Sequence, residues 1–290
     1  MNENKIEVIV WVFTYNHKDY IKECLDSIII QKTTFGYEVI VHDDASNDGT
    51  EEIVREYAAK YPQIIKPMYE KENQYSKNEA YTNYLLNSRT TAKYYAICDG
   101  DDYWIDPYKL QKQYTILESD PSISMCHHNF YQLYPDGRKE LREKKVPQRQ
   151  DLLSLASFNN VQTLTMFFRN NPPLIPKELE DKPQYTAFWA MRLAEIGDIY
   201  YLDEPLAVYR YNEGGIYGMQ NGERRFKMAV SNIDLMIQWY SILGDIKVAT
   251  VLKKRARKLC YSYIIHFLRR FNFSALFYAN KKLLSYYKIG

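Results

Sequence analysis

Three carboxylates fall within four residues, at Asp99, Asp101 and Asp102, directly after an apolar run. Carboxylates this close repel one another, and an unpaired charge in a concave site is costly. A cation is therefore expected among them. Oxygen ligands alone favour a hard ion, Mn²⁺ or Mg²⁺, which also binds phosphates. The alternative interpretation of these residues is a solvated acidic turn.

Two other polar groups follow apolar runs in the same way. Thr14 and Asn16 follow the first run, and Asp43 and Asp44 follow the second. Ligands of open parallel sheets bind beyond the carboxyl ends of the strands, so we expect these groups to meet the acidic cluster at one edge. A carboxylate there can accept hydrogen bonds from a nucleobase N–H or from ribose hydroxyls.

An alternation of strands and helices must position these groups. A continuous β-branched and aromatic run predicts a buried strand at residues 7–13, and further strands are predicted at 37–42, also buried, at 64–69 and at 94–98. Helical spacing predicts helices at residues 20–30, 50–61, 81–88 and 110–118. Thr50 is the predicted N-cap of the second helix, with Asp48 interpreted as a capping residue of the same loop. The pattern predicts an α/β fold whose mostly parallel, nucleotide-binding sheet has helices on both faces.

The remaining chain is less regular. Strands are predicted at residues 123–134, 162–169 and 200–211, a charged loop at 140–149, a helix at 188–196 ended by Gly197, and helices from 224 onward. Adjacent residues of a strand face opposite sides, so one of His127 and His128 is expected to pack inside and the other to line an acceptor site.

The C-terminal region is strongly basic. Fourteen Lys and Arg lie between Gln220 and Gly290 against three acids, although the whole chain has a net charge of +2. This charge indicates an anionic partner, such as a phospholipid surface or a phosphate-bearing substrate. Aromatic and basic residues on these helices suit loose membrane contact, and packing on the sheet or an oligomer interface is the other interpretation. No recognition helix or RNA-binding sheet is apparent, which argues against nucleic acid.

The sequence also indicates the cellular compartment of the protein. Four widely spaced cysteines form no metal-finger pattern and are expected to be reduced thiols. The N-terminus does not resemble a signal peptide, and no apolar stretch is long enough to span a bilayer. The prediction is a cytoplasmic protein, peripheral on the inner face of the cytoplasmic membrane if the basic region binds lipid.

Three segments resemble family-2 glycosyltransferases with the GT-A fold, in both order and spacing. They are VFTYN at residues 12–16, HDDASNDGT at 42–50 and CDGDDYW at 98–104. The resemblance covers about residues 6–215. It is to enzymes that build bacterial surface polysaccharides such as capsule or lipopolysaccharide. It implies an inverting, metal-dependent transfer of a sugar from a nucleoside diphosphate donor, with UDP favoured, to a hydroxyl of a glycan or lipid-linked glycan.

The resemblance also implies roles for individual residues. Asp101 and Asp102 would hold Mn²⁺ or Mg²⁺, and which of them binds directly is left open. Asp99 would contact ribose or sugar. The predicted donor-binding residues are Phe13, Thr14, Asn16, Asp43, Asp44, Asp99, Gly100, Arg210 and Asn212.

Arg210 and Asn212 lie in a segment that resembles a lid, with Gly214 and Gly215 supplying hinge freedom. Relatives often carry His at the position of Asn212, so phosphate neutralisation is expected to fall more on Arg210 and the metal. The alternative for Arg210 is a structural ion pair with Asp203 or Glu204.

The expected general base is not visible. The resemblance implies an Asp eight or nine residues before the end of the helix that reads Leu-Ala-Glu, and this position falls on Thr186 or Ala187. Neither side chain accepts a proton at neutral pH. The chain is then an inactivated variant, or a nearby acid (Glu180, or as the fallback Asp181) is the base, or the protein binds nucleotide sugar without turnover.

The predicted organisation has three parts. Residues 1–115 form the nucleotide-sugar-binding half, residues 116–218 the acceptor-binding half of the same domain, and residues 219–290 the basic helical region. A nucleotidyltransferase could share the order of elements, but it would carry a glycine-rich phosphate loop with a basic residue after its first strand, which Thr14-Tyr15-Asn16-His17 does not supply.

Overall fold

The computed structural model describes residues 5–77, 91–142, 145–171, 177–180, 182–183, 185–212 and 222–288. Four sequence predictions lie outside these residues: the helix at 81–88, the candidate base Asp181 and the lid glycines Gly214 and Gly215. The side chain of Glu180 is likewise outside the described part.

The N-terminal half is a parallel sheet. Its strands are β1 (Ile6–Thr14), β2 (Gly36–Asp43), β3 (Ile65–Tyr69) and β4 (Tyr94–Asp99), in the spatial order β3-β2-β1-β4. Both faces of β1 are covered because its alternate residues enter two different apolar clusters: Val8, Val10 and Val12 enter one, and Ile9 and Trp11 enter the other. The four strands predicted for this half are thus present, each within one residue of its expected bounds.

Helices α1 (Ile21–Ile29), α2 (Thr50–Lys60) and α3 (Gln74–Lys77) connect or follow these strands. The N-cap of α2 is Gly49, at φ 102°, and not Thr50 as predicted. Asp48 explains the shift, because its Oδ1 accepts a hydrogen bond from the Thr50 backbone N–H at 3.0 Å and so satisfies the first free donor of the helix. The capping interpretation of Asp48 is confirmed.

The sheet continues without a break into the second half. The later strands are β5 (Tyr103–Trp104), β6 (Ile123–Leu133), β7 (Lys139–Leu141), β8 (Arg149–Gln150), β9 (Phe167–Arg169) and β10 (Asp198–Arg210). β9 lies antiparallel between β4 and β6, and β10 runs parallel to β6. The full order is β3-β2-β1-β4-β9-β6-β10-β5, with β7 on β6 and β8 on β10.

Three local predictions for this half were wrong. Residues 140–149 are not only loop, because β7 and β8 occupy their ends. In residues 162–169 only β9 is strand, and a 3₁₀ turn at Thr163–Thr165 precedes it. The Thr165 hydroxyl donates to the Gln162 carbonyl at 2.7 Å, a local bond that competes with a ladder. His127 and His128 are both 1% exposed, so neither presents an open acceptor surface.

The helices of the second half cover both faces of the sheet, the first of them on the side of α1 and α2 and the later ones on the opposite side. They are α4 (Lys109–Ser119), α5 (Leu152–Ser157), α6 (Lys177–Glu180), α7 (Thr186–Leu193), α8 (Gly222–Ile242), α9 (Ile246–Arg269) and α10 (Phe273–Lys288). α7 ends at Leu193, before the predicted stop at Gly197. One buried apolar cluster runs from Trp11 in the sheet to Tyr286 in α10.

None of the helices in the described part of the chain is long and apolar enough to cross a membrane. The four cysteines are free thiols and all are buried.

Candidate functional site

The carboxyl ends of β1, β2 and β4 meet at one edge of the sheet. Thr14 lies in register with Asp43, and Phe13 with Asp99. Two backbone bonds continue this alignment past the strands: the Asp44 N–H donates to the Thr14 carbonyl at 3.0 Å, and the Gly100 N–H donates to the Phe13 carbonyl at 2.8 Å. We call this region the donor edge, and it brings together the three polar groups that the sequence predicted to converge.

Gly100 permits the close approach of two of these strand ends. A Cβ at this position would lie 2.7 Å from Thr14 Oγ1 and 2.8 Å from Thr14 Cβ. Contacts this short require the backbone to move apart. Glycine is therefore needed between Asp99 and Asp101 because of packing.

Asn16 shapes the loop after β1. Its backbone is left-handed at φ 54°, its N–H donates to Ser46 Oγ at 2.9 Å, and its Oδ1 accepts from the Asn47 N–H at 2.9 Å. The Lys18 N–H adds a bond to Asp48 Oδ2 at 3.0 Å. The loops after β1 and β2 are thus joined, and together they form one wall of the donor edge.

Asp43 and Asp44 are both buried, but they differ in how many of their carboxylate oxygens accept a hydrogen bond. Asp44 accepts at both carboxylate oxygens, from the backbone N–H groups of Gln74 at 2.6 Å and Tyr75 at 3.0 Å. Asp43 Oδ1 accepts from the Ser46 N–H at 2.9 Å, whereas its buried Oδ2 has no hydrogen-bond partner among the described residues. Burial raises the pKa of Asp43. Asp43 is therefore the acid with an acceptor oxygen to offer a ligand.

The acidic cluster has raised pKa values. Burial and the Asp101 carboxylate raise the pKa of Asp99 to about 7. Burial, followed by the charges of Asp101 and Asp99, holds the pKa of Asp102 well above its usual range. These shifts express the crowding of carboxylates in a shielded site, which a cation would relieve.

Two residues of β10 and the segment that follows it hold the cluster from the other side. The Arg210 N–H donates to Asp102 Oδ1 at 2.8 Å, and Arg210 Nη1 donates to the Asp101 carbonyl at 2.8 Å. Asn212 Nδ2 donates to Asp101 Oδ2 at 2.6 Å. Arg210 and Asn212 thus lie beside the two predicted metal ligands, as the resemblance implied for a donor-facing segment.

Arg210 does not pair with Asp203 or Glu204. Its guanidinium instead contacts the carboxylate of Glu23 in α1 and lies 4.5 Å from the centroid of the Tyr103 ring. Glu204 pairs with Lys112. Glu204 and Asp203 lie six and seven positions earlier in β10, about 20 Å away along the strand, whereas Arg210 ends the strand beside α1.

Two neighbours of the cluster were not singled out from the sequence as site residues. His17 Nε2 lies 3.9 Å from Asp101 Oδ2, and burial lowers the pKa of His17 against the opposing effect of that carboxylate. The pKa of Tyr209 is raised by burial and then by the charges of Asp102 and Asp101. His17 directly follows the first motif, which was a usable signal, whereas nothing in the spacing of Tyr209 indicated its proximity.

The acidic cluster offers ligands to a metal ion, but the described residues do not form a complete coordination sphere. Within the ranges described above, no three histidine, cysteine, aspartate or glutamate side chains come together to hold an ion by themselves. Asp102 Oδ2 and Asn212 Oδ1 are nevertheless buried without a hydrogen-bond partner in the described part of the chain. Mg²⁺ is commonly held by one or two carboxylates together with substrate phosphates and water. The residues present fit that arrangement.

The positions expected for a general base start α7. Thr186 Oγ1 lies 2.7 Å from Thr163 Oγ1, and the Ala187 carbonyl accepts from Asn159 Nδ2 at 3.1 Å. The next residue of the 3₁₀ turn, Leu164, accepts from Trp104 Nε1 at 3.1 Å. The start of α7 is thus connected through one turn to the segment that carries the acidic cluster, and it bears no carboxylate at these two positions.

A sequence profile of glycosyl transferase family 2 matches residues 9–171, more than half of the chain. An uncharacterized protein of Mycobacterium tuberculosis is 37% identical over 216 residues, which cover 73% of this chain and 61% of that protein. A putative teichuronic acid biosynthesis glycosyltransferase of Bacillus subtilis, TuaG, is 34% identical over 100 residues, covering 34% of this chain and 37% of TuaG. The chain therefore spans under two thirds of the length of these relatives.

Solved structures share the fold. TarS of S. aureus, in complex with UDP-GlcNAc, superposes with a TM-score of 0.54 at 16% identity, covering 98% of this chain and 92% of that one. A mannosyltransferase of Pyrobaculum calidifontis, in complex with GDP-Man and Mn²⁺, superposes with a TM-score of 0.57 at 17% identity, covering 98% and 76%. The predicted GT-A-like α/β fold with C-terminal helices is confirmed.

Proposed function

Because the chain belongs to glycosyl transferase family 2, we propose that it transfers a sugar from a nucleoside diphosphate donor to a hydroxyl of a bacterial surface glycan, with inversion at the anomeric carbon. The observation that carries the proposal is the donor edge. There Asp43 Oδ2 and Asp102 Oδ2 are buried without a described hydrogen-bond partner. Buried polar atoms are nearly always paired, so these two oxygens support a polar ligand at this edge.

The nucleotide end of the donor belongs with β1 and β2. Asp43 Oδ2 can accept from a nucleobase N–H, and Asn16 joins the loops after β1 and β2 beside it. We propose uracil as the base, which offers a single ring and an N–H donor. In support, one structure with this fold was solved with UDP-GlcNAc.

The diphosphate belongs with the acidic cluster. Asp101 and Asp102 would hold Mn²⁺ or Mg²⁺, which supplies positive charge to the departing diphosphate. Asp99 lies next to them and is proposed to contact ribose or sugar. Arg210 is already engaged with Glu23 and the Asp101 carbonyl, so its proposed role is to orient the cluster, with its charge available to phosphate.

A second candidate function is nucleotide-sugar binding without transfer. It is favoured by the start of α7, where Thr186 and Ala187 replace the expected acid and Thr186 is hydrogen-bonded to Thr163. An inactivated variant of the enzyme would have the same features. The two functions share the donor edge and differ only in whether an acceptor hydroxyl loses its proton.

The proposed acceptor is a growing glycan, free or lipid-linked. The name of TuaG refers to teichuronic acid biosynthesis, which supports a surface polysaccharide as the class of product.

A thermal-shift panel tests the donor half of the proposal. UDP-GlcNAc, UDP, GDP-Man and GDP are each added with and without Mn²⁺, to the wild type and to Asp101→Asn. We expect the UDP ligands with Mn²⁺ to raise the melting temperature by about 5 °C near a hundredfold excess over Kd. Asp101→Asn should abolish the part of this shift that needs Mn²⁺.

Asp136→Asn is the matched control, because Asp136 lies in the exposed turn between β6 and β7. It should keep the full response. Transfer of radiolabelled sugar to a surface-glycan acceptor then separates the two candidate functions. A flat response to every nucleotide would refute both, and a donor response without transfer would leave the binding function alone.

A further inference from the structure

The outer face of α10 is apolar and exposed. Phe273, Phe277, Leu284 and Tyr287 are 70%, 74%, 60% and 55% exposed. An α-helix turns by about 100° per residue, so these four side chains share an arc about 80° wide. The opposite side of α10 packs inward, where the Tyr286 hydroxyl donates to Asp234 Oδ1 of α8 at 2.6 Å.

A second apolar stripe on α9 adjoins the first. Tyr261, Ile265 and Leu268 are 49%, 52% and 52% exposed and follow one side of the helix. The Tyr261 hydroxyl lies 3.1 Å from the Tyr287 hydroxyl, which joins the stripes of the two helices. We call these seven residues the hairpin face. Contiguous apolar patches of this kind mark interaction surfaces.

The charge around the hairpin face has a single sign. Residues 246–290 contain eleven Lys and Arg and no Asp or Glu. Lys254 and Lys258 are exposed on the line of the α9 stripe, and Arg269, Arg270 and Lys281 are exposed beside its other end and beside the α10 stripe. None of these five cations forms an ion pair with a carboxylate in the described part of the chain.

We propose that the hairpin face docks on a lipid bilayer rich in anionic phospholipid, with α9 and α10 lying in the plane of the interface. Helices that bind in this way bury large apolar side chains among the headgroups and carry cations at the polar margin. Each cation near such a surface adds to the attraction.

A second copy of the chain and a nucleic acid both fit the hairpin face less well than a bilayer does. A second copy would bring two surfaces together that each carry eleven cations and no acid in this region, and like charges repel. A nucleic acid would neutralise the cations but leave the seven apolar side chains in water. An anionic bilayer satisfies both the charge and the apolar surface.

The hairpin face lies on α9 and α10, whereas the donor edge lies at the ends of β1, β2 and β4. The two regions share no residue, so docking can be measured without any sugar transfer. It would bring the proposed transferase to the surface where a lipid-linked acceptor is found.

Co-sedimentation of the full chain with vesicles tests the proposal. The vesicles are phosphatidylcholine alone or phosphatidylcholine with phosphatidylglycerol. We expect binding to the anionic vesicles only, weakened by added salt. Phe273→Ser with Phe277→Ser should lower the partition coefficient at least about tenfold. Arg269→Gln with Arg270→Gln should lower it about tenfold or more.

Ile30→Ser is the matched control, because Ile30 is 57% exposed at the end of α1, away from the hairpin. It should bind as the wild type does. Circular dichroism and the melting temperature verify that each variant is folded, which is expected because the altered side chains are exposed.

Four results would overturn the proposal. They are no sedimentation with anionic vesicles, equal binding to both kinds of vesicle, binding that survives the Phe273→Ser, Phe277→Ser change, and a dimer in light scattering that this change dissociates while vesicles remain unbound. Binding of duplex DNA with no binding of vesicles would equally assign the surface to another partner.

Discussion

Asp43 and Asp102 each keep one carboxylate oxygen without a described hydrogen-bond partner, although both residues are almost completely buried. Their neighbours Asp44 and Asp101 are hydrogen-bonded at the side chain, by backbone N–H groups and by Asn212 respectively. Residue type alone does not separate these four acids. The elements packed against them do, since the N-terminus of α3 occupies Asp44 and the segment after β10 occupies Asp101.

Substitutions at Thr186 and Ala187 test whether the chain is an enzyme that lacks its general base. An Asp at either position lies in the first turn of α7, where a carboxylate is favoured by the helix dipole. If the chain is an inactivated variant, Thr186→Asp or Ala187→Asp will raise the rate of sugar transfer at least about a hundredfold, the usual scale of general-base catalysis.

Thr186→Asn is the control for the first of these changes, since it is similar in shape and cannot accept the proton. No gain at either position would exclude the inactivated-variant explanation. It would leave another acid or binding without turnover as the remaining explanations.

The buried side chain of Lys109 should make the stability of the protein depend on pH. Its side chain is fully buried, Nζ donates to Gln113 Oε1 at 2.8 Å and lies 3.9 Å from the centroid of the Trp104 ring, and burial lowers its pKa to about 7. The folded pKa is thus below the unfolded one. At a pH between these two pKa values, Lys109 is protonated in the unfolded state and largely neutral in the folded state. The group therefore makes the protein more stable as the pH rises above 7.

Lys109→Met should remove this dependence. The free energy of unfolding of the wild type, relative to the variant, is expected to increase by about 1 kcal/mol per pH unit between pH 7 and 9. Urea unfolding at several pH values measures it, with Lys254→Met as the exposed control. A difference that does not change with pH would show that Lys109 keeps its proton in the folded state.

At the scale of elements, the ends of β1 and β4 are held together by one close backbone approach at Gly100. Gly100→Ala would place its Cβ 2.7 Å from Thr14 Oγ1. We expect a loss of about 1 to 3 kcal/mol of stability together with loss of the thermal shift by UDP ligands.

Gly197→Ala separates the two effects. Its Cβ would lie 2.6 Å from the Ser122 carbonyl oxygen, far along the chain from the donor edge. It should destabilise by a similar amount and keep the nucleotide response. If both variants keep the response, the spacing of β1 and β4 is not required for binding.

The element boundaries show which patterns were informative. Apolar runs identified β1, β2 and β4 because a strand buried on both faces needs apolar residues throughout, whereas β3 contains Lys66 and Pro67 and only Ile65 in it is buried. The short elements were missed for a reason of the same kind. β5, β7 and β8 have two or three residues each, too few for any periodicity, and form because a neighbouring strand offers its backbone. β9 lies within the strand predicted at residues 162–169, which was too long.

At the scale of the whole molecule, the helical region and the sheet share one core. The Trp239 ring of α8 lies 5.6 Å from the Phe188 ring of α7, and Trp239 Nε1 donates to Glu195 Oε1 at 2.6 Å. The proposed division into residues 1–115, 116–218 and 219–290 stays a prediction about function. We expect a single cooperative unfolding transition.

Trp239→Ala should lower the stability of the whole chain by about 3 to 5 kcal/mol and preserve one transition, observed in parallel by calorimetry and circular dichroism. Trp239→Phe keeps most of the packing and should lose only the contribution of the hydrogen bond. Separate melting of the helices at an unchanged sheet transition would contradict a shared core.

The sequence by itself determined the order of the four strands and first two helices of the N-terminal half and the convergence of Thr14, Asp43 and Asp99 at one edge, because periodicity and strand direction are local properties. Only the tertiary structure decided that Arg210 pairs with Glu23 across 187 positions, that Asp44 is occupied by α3, and that α10 turns four large apolar side chains outward. These outcomes depend on which distant surfaces pack together. The spacing of residues along the chain does not show which surfaces these are.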